Sequence, residues 1–226
     1  AIVTDSGGMT CHASIVSREL GIPCVVGSKS RGTAATLGIP NGAAITVDAT
    51  HGIVYDGILE DTVKKEEPAT TVVAAAETFP VTGTKIYMNL GDPDLAEKYG
   101  KLPCDGIGLM REEFIWTTYI HEHPLHLIET GRSDVVVNQL ADGMQKVCQA
   151  LSPRPVTLRF SDFKSSEYRD LKGGDKFEPH EPSALLGWRG ASRYYDPKYI
   201  EAFKLEIKAV KKVREEYGLK NLHVMI

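Results

Sequence analysis

The chain has 226 residues, 42% of them apolar and 25% charged, with a formal net charge of −4. This composition fits a globular protein of one large or two small domains. It gives no reason to expect nucleic acid or an anionic membrane as a partner, and no window approaches the roughly eighteen apolar residues of a membrane span. Cys11, Cys24, Cys104 and Cys148 match neither a zinc-ligand spacing nor a C-x-x-C pair, which suits a reducing cytoplasm.

Ala1 to Thr4 reads as a strand, with no initiator Met and no signal peptide, so the natural protein is expected to begin earlier. Gly7-Gly8 makes a turn. Cys11 to Leu20 reads as a helix with Ala13, Val16 and Leu20 on its apolar face, closed by Gly21 and followed by Pro23. Cys24-Val25-Val26 is a short buried strand, and Ala43 to Val47 pairs with Ile53 to Tyr55 as a hairpin. These elements make an α/β module over residues 1–60. The charge cluster Lys64-Lys65-Glu66-Glu67-Pro68 and the Ala- and Thr-rich run after it read as a linker over 61–84.

From Lys85 the pattern alternates strand and helix. Strands are expected at Lys85 to Leu90, Gly106 to Met110, Val156 to Phe160 and Leu222 to Ile226. Asp92-Pro93 starts a short helix. Helical stretches cover His121 to Thr130 and Asp134 to Leu151, the latter with Val136, Leu140, Met144 and Val147 in register. Ser161 to Asp196 reads as a long polar loop. Pro197 to Tyr217 reads as an amphipathic helix with Ile200, Phe203, Ile207, Val210 and Val213 on its stripe. Successive βα units imply a parallel sheet. A (β/α)8 barrel takes about 250 residues, so the 142 residues after position 84 make its first half. The unpaired apolar strand at the end implies a chain truncated there too.

Two sets of residues carry chemistry. Gly7-Gly8-Met9-Thr10-Cys11 precedes a helix whose first turn holds His12. Unpaired amides and the macrodipole favour an anion there. They also disfavour the imidazolium, so His12 would be a neutral nucleophile and its phosphorylated form would be stabilised. A surface or capping histidine would look the same. Arg111 and Arg159 end the second and third strands of the later region, and paired guanidinium groups suit a ligand with both phosphate and carboxylate. The alternative is a structural pairing with a nearby acid such as Glu112 or Asp162.

Gly7 to Gly27, GGMTCHASIVSRELGIPCVVG, resembles the phosphohistidine signature of the PEP-utilising enzymes. This family includes phosphoenolpyruvate synthase, pyruvate phosphate dikinase and enzyme I of the sugar phosphotransferase system. GIGLMREEF, TLRFSD and the run from Gly173-Gly174-Asp175-Lys176 to Gly187-Trp188-Arg189-Gly190 resemble its barrel motifs. The resemblance implies a swivelling phosphohistidine domain followed by the start of a PEP-binding (β/α)8 barrel. His12 would be the phosphorylated residue and Arg111, Arg159 and Arg189 the substrate-binding cations. Thr10 matches a regulatory threonine, with helix N-cap as its structural role. Arg193 is expected to be structural. RFSDFKSSEY and GWRGASRY look most like the synthase branch of the family.

That branch uses ATP and pyruvate, gives phosphoenolpyruvate, AMP and phosphate, and requires Mg²⁺. By resemblance the nucleotide domain, the Mg²⁺ carboxylates and the proton-donor cysteine lie outside this chain, which alone would be inactive. A cytoplasmic homo-oligomer is the expectation. Alternatives are a phosphotransferase like enzyme I or pyruvate phosphate dikinase, and a non-catalytic self-assembling relative.

Overall fold

A computed structural model describes residues 1–29, 34–59, 82–181 and 187–226. The chain divides into two units, Ala1–Thr78 and Phe79–Ile226. The linker expected over 61–84 lies, except for its last three residues, outside the described residues.

In the first unit, β1 (Ile2–Val3) pairs in parallel with β2 (Cys24–Val25). The helix between them, α1, spans His12–Glu19. It ends at Leu20 because Gly21 takes a φ of +65°. The amides of Gly21 and Ile22 then bond the carbonyls of Arg18 and Ser17, capping the last turn. Leu20, expected on the apolar face, stands 53% exposed, and Ser17 is buried instead. β3 (Ile45–Asp48) and β4 (Ile53–Asp56) form the expected antiparallel hairpin. Its turn is held by Asp48, which accepts from the His51 backbone and meets its ring at 2.7 Å.

The second unit is a mixed α/β structure on a four-stranded parallel sheet. β5 (Tyr87–Leu90), β6 (Gly106–Arg111), β7 (Val156–Arg159) and β8 (Leu222–Met225) lie side by side in chain order. Asp92 caps the turn after β5 by accepting from the Asp94 amide, with Pro93 at its first position, and α2 (Ala96–Tyr99) follows. After β6 comes α3 (Glu113–Ile115), continued by a π-helical turn over Trp116–Ile120. The helix expected from His121 begins only at α4 (Pro124–Glu129), because His121 takes a φ of +58° and breaks the chain direction.

α5 (Ser133–Leu151) buries the expected Val136, Leu140, Met144 and Val147, together with Leu151. Each such side chain contributes about 1.5–3 kcal/mol by leaving water. The residues read as a loop after β7 contain α6 (Ser165–Asp170) and α7 (Ala191–Tyr194). α8 (Ile200–Lys211) bears out part of the expected stripe, with Val210 and Val213 buried and Phe203 packed on the core, but its buried face is shifted. Ala202, Leu205, Glu206, Ala209 and Val210 are buried, while Ile207 is 44% exposed. Two small alanines sit on the face that α8 turns to the core, and the carboxylate of Glu206 is needed at the end of β7.

Candidate functional site

The first group of site residues lies in the first unit. Gly7 takes a φ of +110°, and a Cβ there would come within 2.9 Å of the Cys11 sulfur, so the chain turns tightly above the helix. The Cys11 amide bonds the Gly8 carbonyl at 2.9 Å, which also accepts from Ser14 Oγ at 3.1 Å. His12 is the first residue of α1 and is exposed.

The N-cap position belongs to Cys11, whose backbone is extended at φ −73° and ψ 159°. This corrects the expectation that Thr10 caps the helix: Thr10 lies one residue too early and is exposed. The Cys11 thiol makes no regular side-chain cap, although its sulfur lies 3.7 Å from Ser14 Oγ. Hydrogen bonds from the Ser14 backbone and hydroxyl hold the Cys11 thiol below its usual range. The turn thus favours negative charge one residue from His12.

The second group lies at the C-terminal edge of the parallel sheet. Arg111 and Arg159 are register partners on β6 and β7. Val156 and Leu158 are fully buried, so Arg159, alternating with them, projects from the other face. Arg159 Nη2 donates to Glu113 Oε1 at 2.6 Å, and its Nη1 lies 3.4 Å from Asp162 Oδ2. Arg189 forms a fork on Asp162, with Nε to Oδ1 at 3.0 Å and Nη2 to Oδ2 at 2.9 Å. That pairing raises the Arg189 pKa above its ordinary value. Among the described residues no ion pair reaches Arg111. Of the three candidate substrate arginines in the second unit, two are tied to one aspartate.

The alternative of an acid pairing is met for Arg159 at Asp162, while Glu112 pairs with neither arginine among the described residues. Glu112 alternates with Arg111 and points back into the fold, where its Oε1 accepts from Trp116 Nε1 at 3.1 Å. Burial pushes its carboxyl well above the usual range, helped by the neighbouring Glu206. Burial likewise raises Glu206 to about 7, although Ser161 donates to it from both its hydroxyl, at 2.6 Å, and its amide.

Arg193, expected to be structural, is fully buried. Its Nη2 donates to Glu178 Oε2 at 2.6 Å and to the Trp188 carbonyl at 2.8 Å, and its guanidinium lies 4.0 Å from the Trp188 ring centroid. Burial pushes the Glu178 carboxyl up, but Arg193 and His123 outweigh it and hold it below the ordinary range. Burial also pushes the His123 imidazole down. Its Nδ1 accepts from the Leu125 amide at 3.2 Å, so Nε2 carries the proton and donates to Glu178 Oε1 at 2.9 Å. Sequence reasoning missed Glu113, Glu178 and Glu206. For Glu113 no periodicity gave a signal, because β6 ends at Arg111 and the backbone is already helical at Glu112.

Residues 65–226 match the family model described as PEP-utilising enzyme, PEP-binding domain, and residues 1–52 match PEP-utilising enzyme, mobile domain. The chain belongs to the PEP-utilising enzyme family. A probable phosphoenolpyruvate synthase of Staphylothermus marinus is 56% identical over an alignment covering 100% of this chain and 28% of that protein. The phosphoenolpyruvate synthase of Aeropyrum pernix is 53% identical over 100% of this chain and 28% of its own length. That of Pyrococcus furiosus is 45% identical over 100% of this chain and 27% of its length. The chain thus spans little more than a quarter of the length of these PEP-utilising relatives. Among the described residues no group of three or more His, Cys, Asp or Glu side chains is placed to hold a metal ion, and no helix is long and apolar enough to cross a membrane.

Proposed function

We propose that this chain is the phosphohistidine segment and the first half of the PEP-binding (β/α)8 barrel of an ATP-dependent phosphoenolpyruvate synthase. The register pairing of Arg111 with Arg159 at the C-terminal ends of adjacent parallel strands carries this reading. Parallel α/β sheets and barrels bind their ligands at that edge. The residues around it belong to the matched PEP-binding domain, and the synthases named above share the whole chain.

In this reading His12 takes a phosphoryl group originating from ATP, with AMP and phosphate as the other products. The glycine turn and the N-terminal end of α1 suit the charge it then carries. The phosphohistidine domain swivels on the linker over 61–84 and delivers the group to the enolate oxygen of pyruvate. Arg111, unpaired among the described residues, takes the ligand's phosphate or carboxylate directly, while Arg159 and Arg189 form a preset cationic wall. Mg²⁺ would be held by carboxylates outside this chain. Thr10, exposed two residues before His12, is placed for regulatory modification. The enzyme acts in the cytoplasm as a homo-oligomer, and this segment alone is inactive.

The test is phosphorus NMR of the full-length protein with ATP and pyruvate. Formation of phosphoenolpyruvate, AMP and phosphate, abolished by Arg111→Ala, is the expected result. Phosphoryl transfer from phosphoenolpyruvate to a small protein without any nucleotide would assign it to the phosphocarrier class instead.

A further inference from the structure

Three candidate substrate cations need two properties that oppose each other. They must stay charged and fixed in the absence of ligand, and they must not repel one another out of position. Arg159 and Arg189 meet at one aspartate, and that aspartate is itself held by a second acid. Glu113 Oε1 accepts from Arg159 Nη2 at 2.6 Å and from the backbone amide of Asp162 at 2.9 Å. Asp162, fixed in this way, offers both carboxylate oxygens and its carbonyl to Arg189, with the carbonyl accepting from Nη2 at 3.1 Å. Glu113 Oε2 and Arg159 Nε are buried and have no partner. The acid is therefore enclosed at the site rather than solvated on a rim.

We propose that Glu113 is a positioning residue that sets Arg159 directly and Arg189 through Asp162. One carboxylate oxygen joins the start of α3 to the end of β7 and the turn after it, and Asp162 in that turn reaches the segment carrying Arg189. The bond to the Asp162 amide fixes the turn after β7, and the turn aims the Asp162 carboxylate. A guanidinium with its fork already satisfied on one side loses little rotamer freedom when a ligand takes the other. Asp162 and Glu113 also neutralise part of the charge of the arginine array, which lets it stand assembled without a substrate.

This role rests on the synthase reading, so the test separates the two. In the full-length protein, Glu113→Ala is expected to raise the pyruvate KM and the phosphoenolpyruvate Kd about ten-fold or more, because two cations lose their preset geometry together. ATP-dependent labelling of His12 stays at the wild-type level. Glu113→Gln retains an oxygen that can accept from both Arg159 and the Asp162 amide, and recovers most of the affinity. It also covers the case in which the alanine variant does not fold. Glu113→Ala on top of Arg159→Ala adds less than it does to the wild type.

A crystal structure of the glutamine or alanine variant shows whether the Asp162 turn and the Arg189 fork have moved. If wild type makes phosphoenolpyruvate and Glu113→Ala leaves KM and Kd unchanged, the positioning role is overturned. Should wild type make none, the synthase reading fails, and the position of Arg189 in the alanine variant alone decides: an unmoved fork there overturns the role.

Discussion

Among the described residues of the first unit only Val25 and Ser17 are buried, whereas the second unit encloses Trp116, Arg193, Tyr168, Tyr199 and a full aliphatic core. Their site residues differ in the same way. His12 stands exposed on a short helix whose first turn is organised by backbone carbonyls and a single serine hydroxyl. Arg159 and Arg189 are held by carboxylates that are themselves held. In the proposed function a phosphoryl carrier must be reachable, and the cations that hold the acceptor must already be in place. The comparison teaches that packing density follows the demands of the chemistry.

Arg193→Met tests that contrast with the largest expected effect on stability. It leaves the Glu178 carboxylate buried without its partner, which costs about 3–5 kcal/mol. Both tryptophans, Trp116 and Trp188, belong to the second unit, so urea unfolding followed by tryptophan fluorescence reads it there. A loss below about 1 kcal/mol would show that the buried network is dispensable. Leu140→Ala, at a fully buried site of α5, is expected to cost about 2–5 kcal/mol by the same measurement. Val16→Ala in the half-buried face of α1 should cost no more than about 1 kcal/mol, read by hydrogen exchange of the α1 amides. Equal costs at Leu140 and Val16 would erase the difference between the units.

The smallest effect is on pH dependence. Glu206 keeps its proton in the folded state up to about 7, against an ordinary glutamate value of 4.5. The folded carboxyl therefore binds protons more tightly than the unfolded one. Its contribution is full below the unfolded value and is lost as pH rises through about 7. The urea midpoint should fall between pH 5 and pH 8, and Glu206→Gln should flatten that slope. An unchanged slope would mean that Glu206 is ionised across the range.

Much of this was legible in the sequence. The four strands of the second unit, the hairpin, the long α5 and the ends of α1 follow from apolar periodicity and from glycine and proline placement. Arg111 and Arg159 were visible because each terminates an apolar run. Other features were hidden where polar residues do core work. Glu206 occupies a buried turn of α8, so a stripe drawn through apolar residues caught Val210 and Val213 but missed Glu206 and included the exposed Ile207. The segment from Ser161 to Asp196 looks like a loop because its order comes from Glu178, Arg193 and His123, which are buried in mutual contact, and no periodicity announces that. Glu112 and Glu113 are neighbours of one type. Strand alternation cannot tell which of them faces Arg159, because β6 ends at Arg111 and the backbone is helical from Glu112.

The central claim is that His12 carries the phosphoryl group, and the most direct measurement is covalent labelling of the full-length protein with ATP labelled at the β-phosphate. The account predicts an acid-labile label on the peptide containing His12, discharged by pyruvate and absent in His12→Ala. A label that persists in His12→Ala, or none in the wild type, would contradict it.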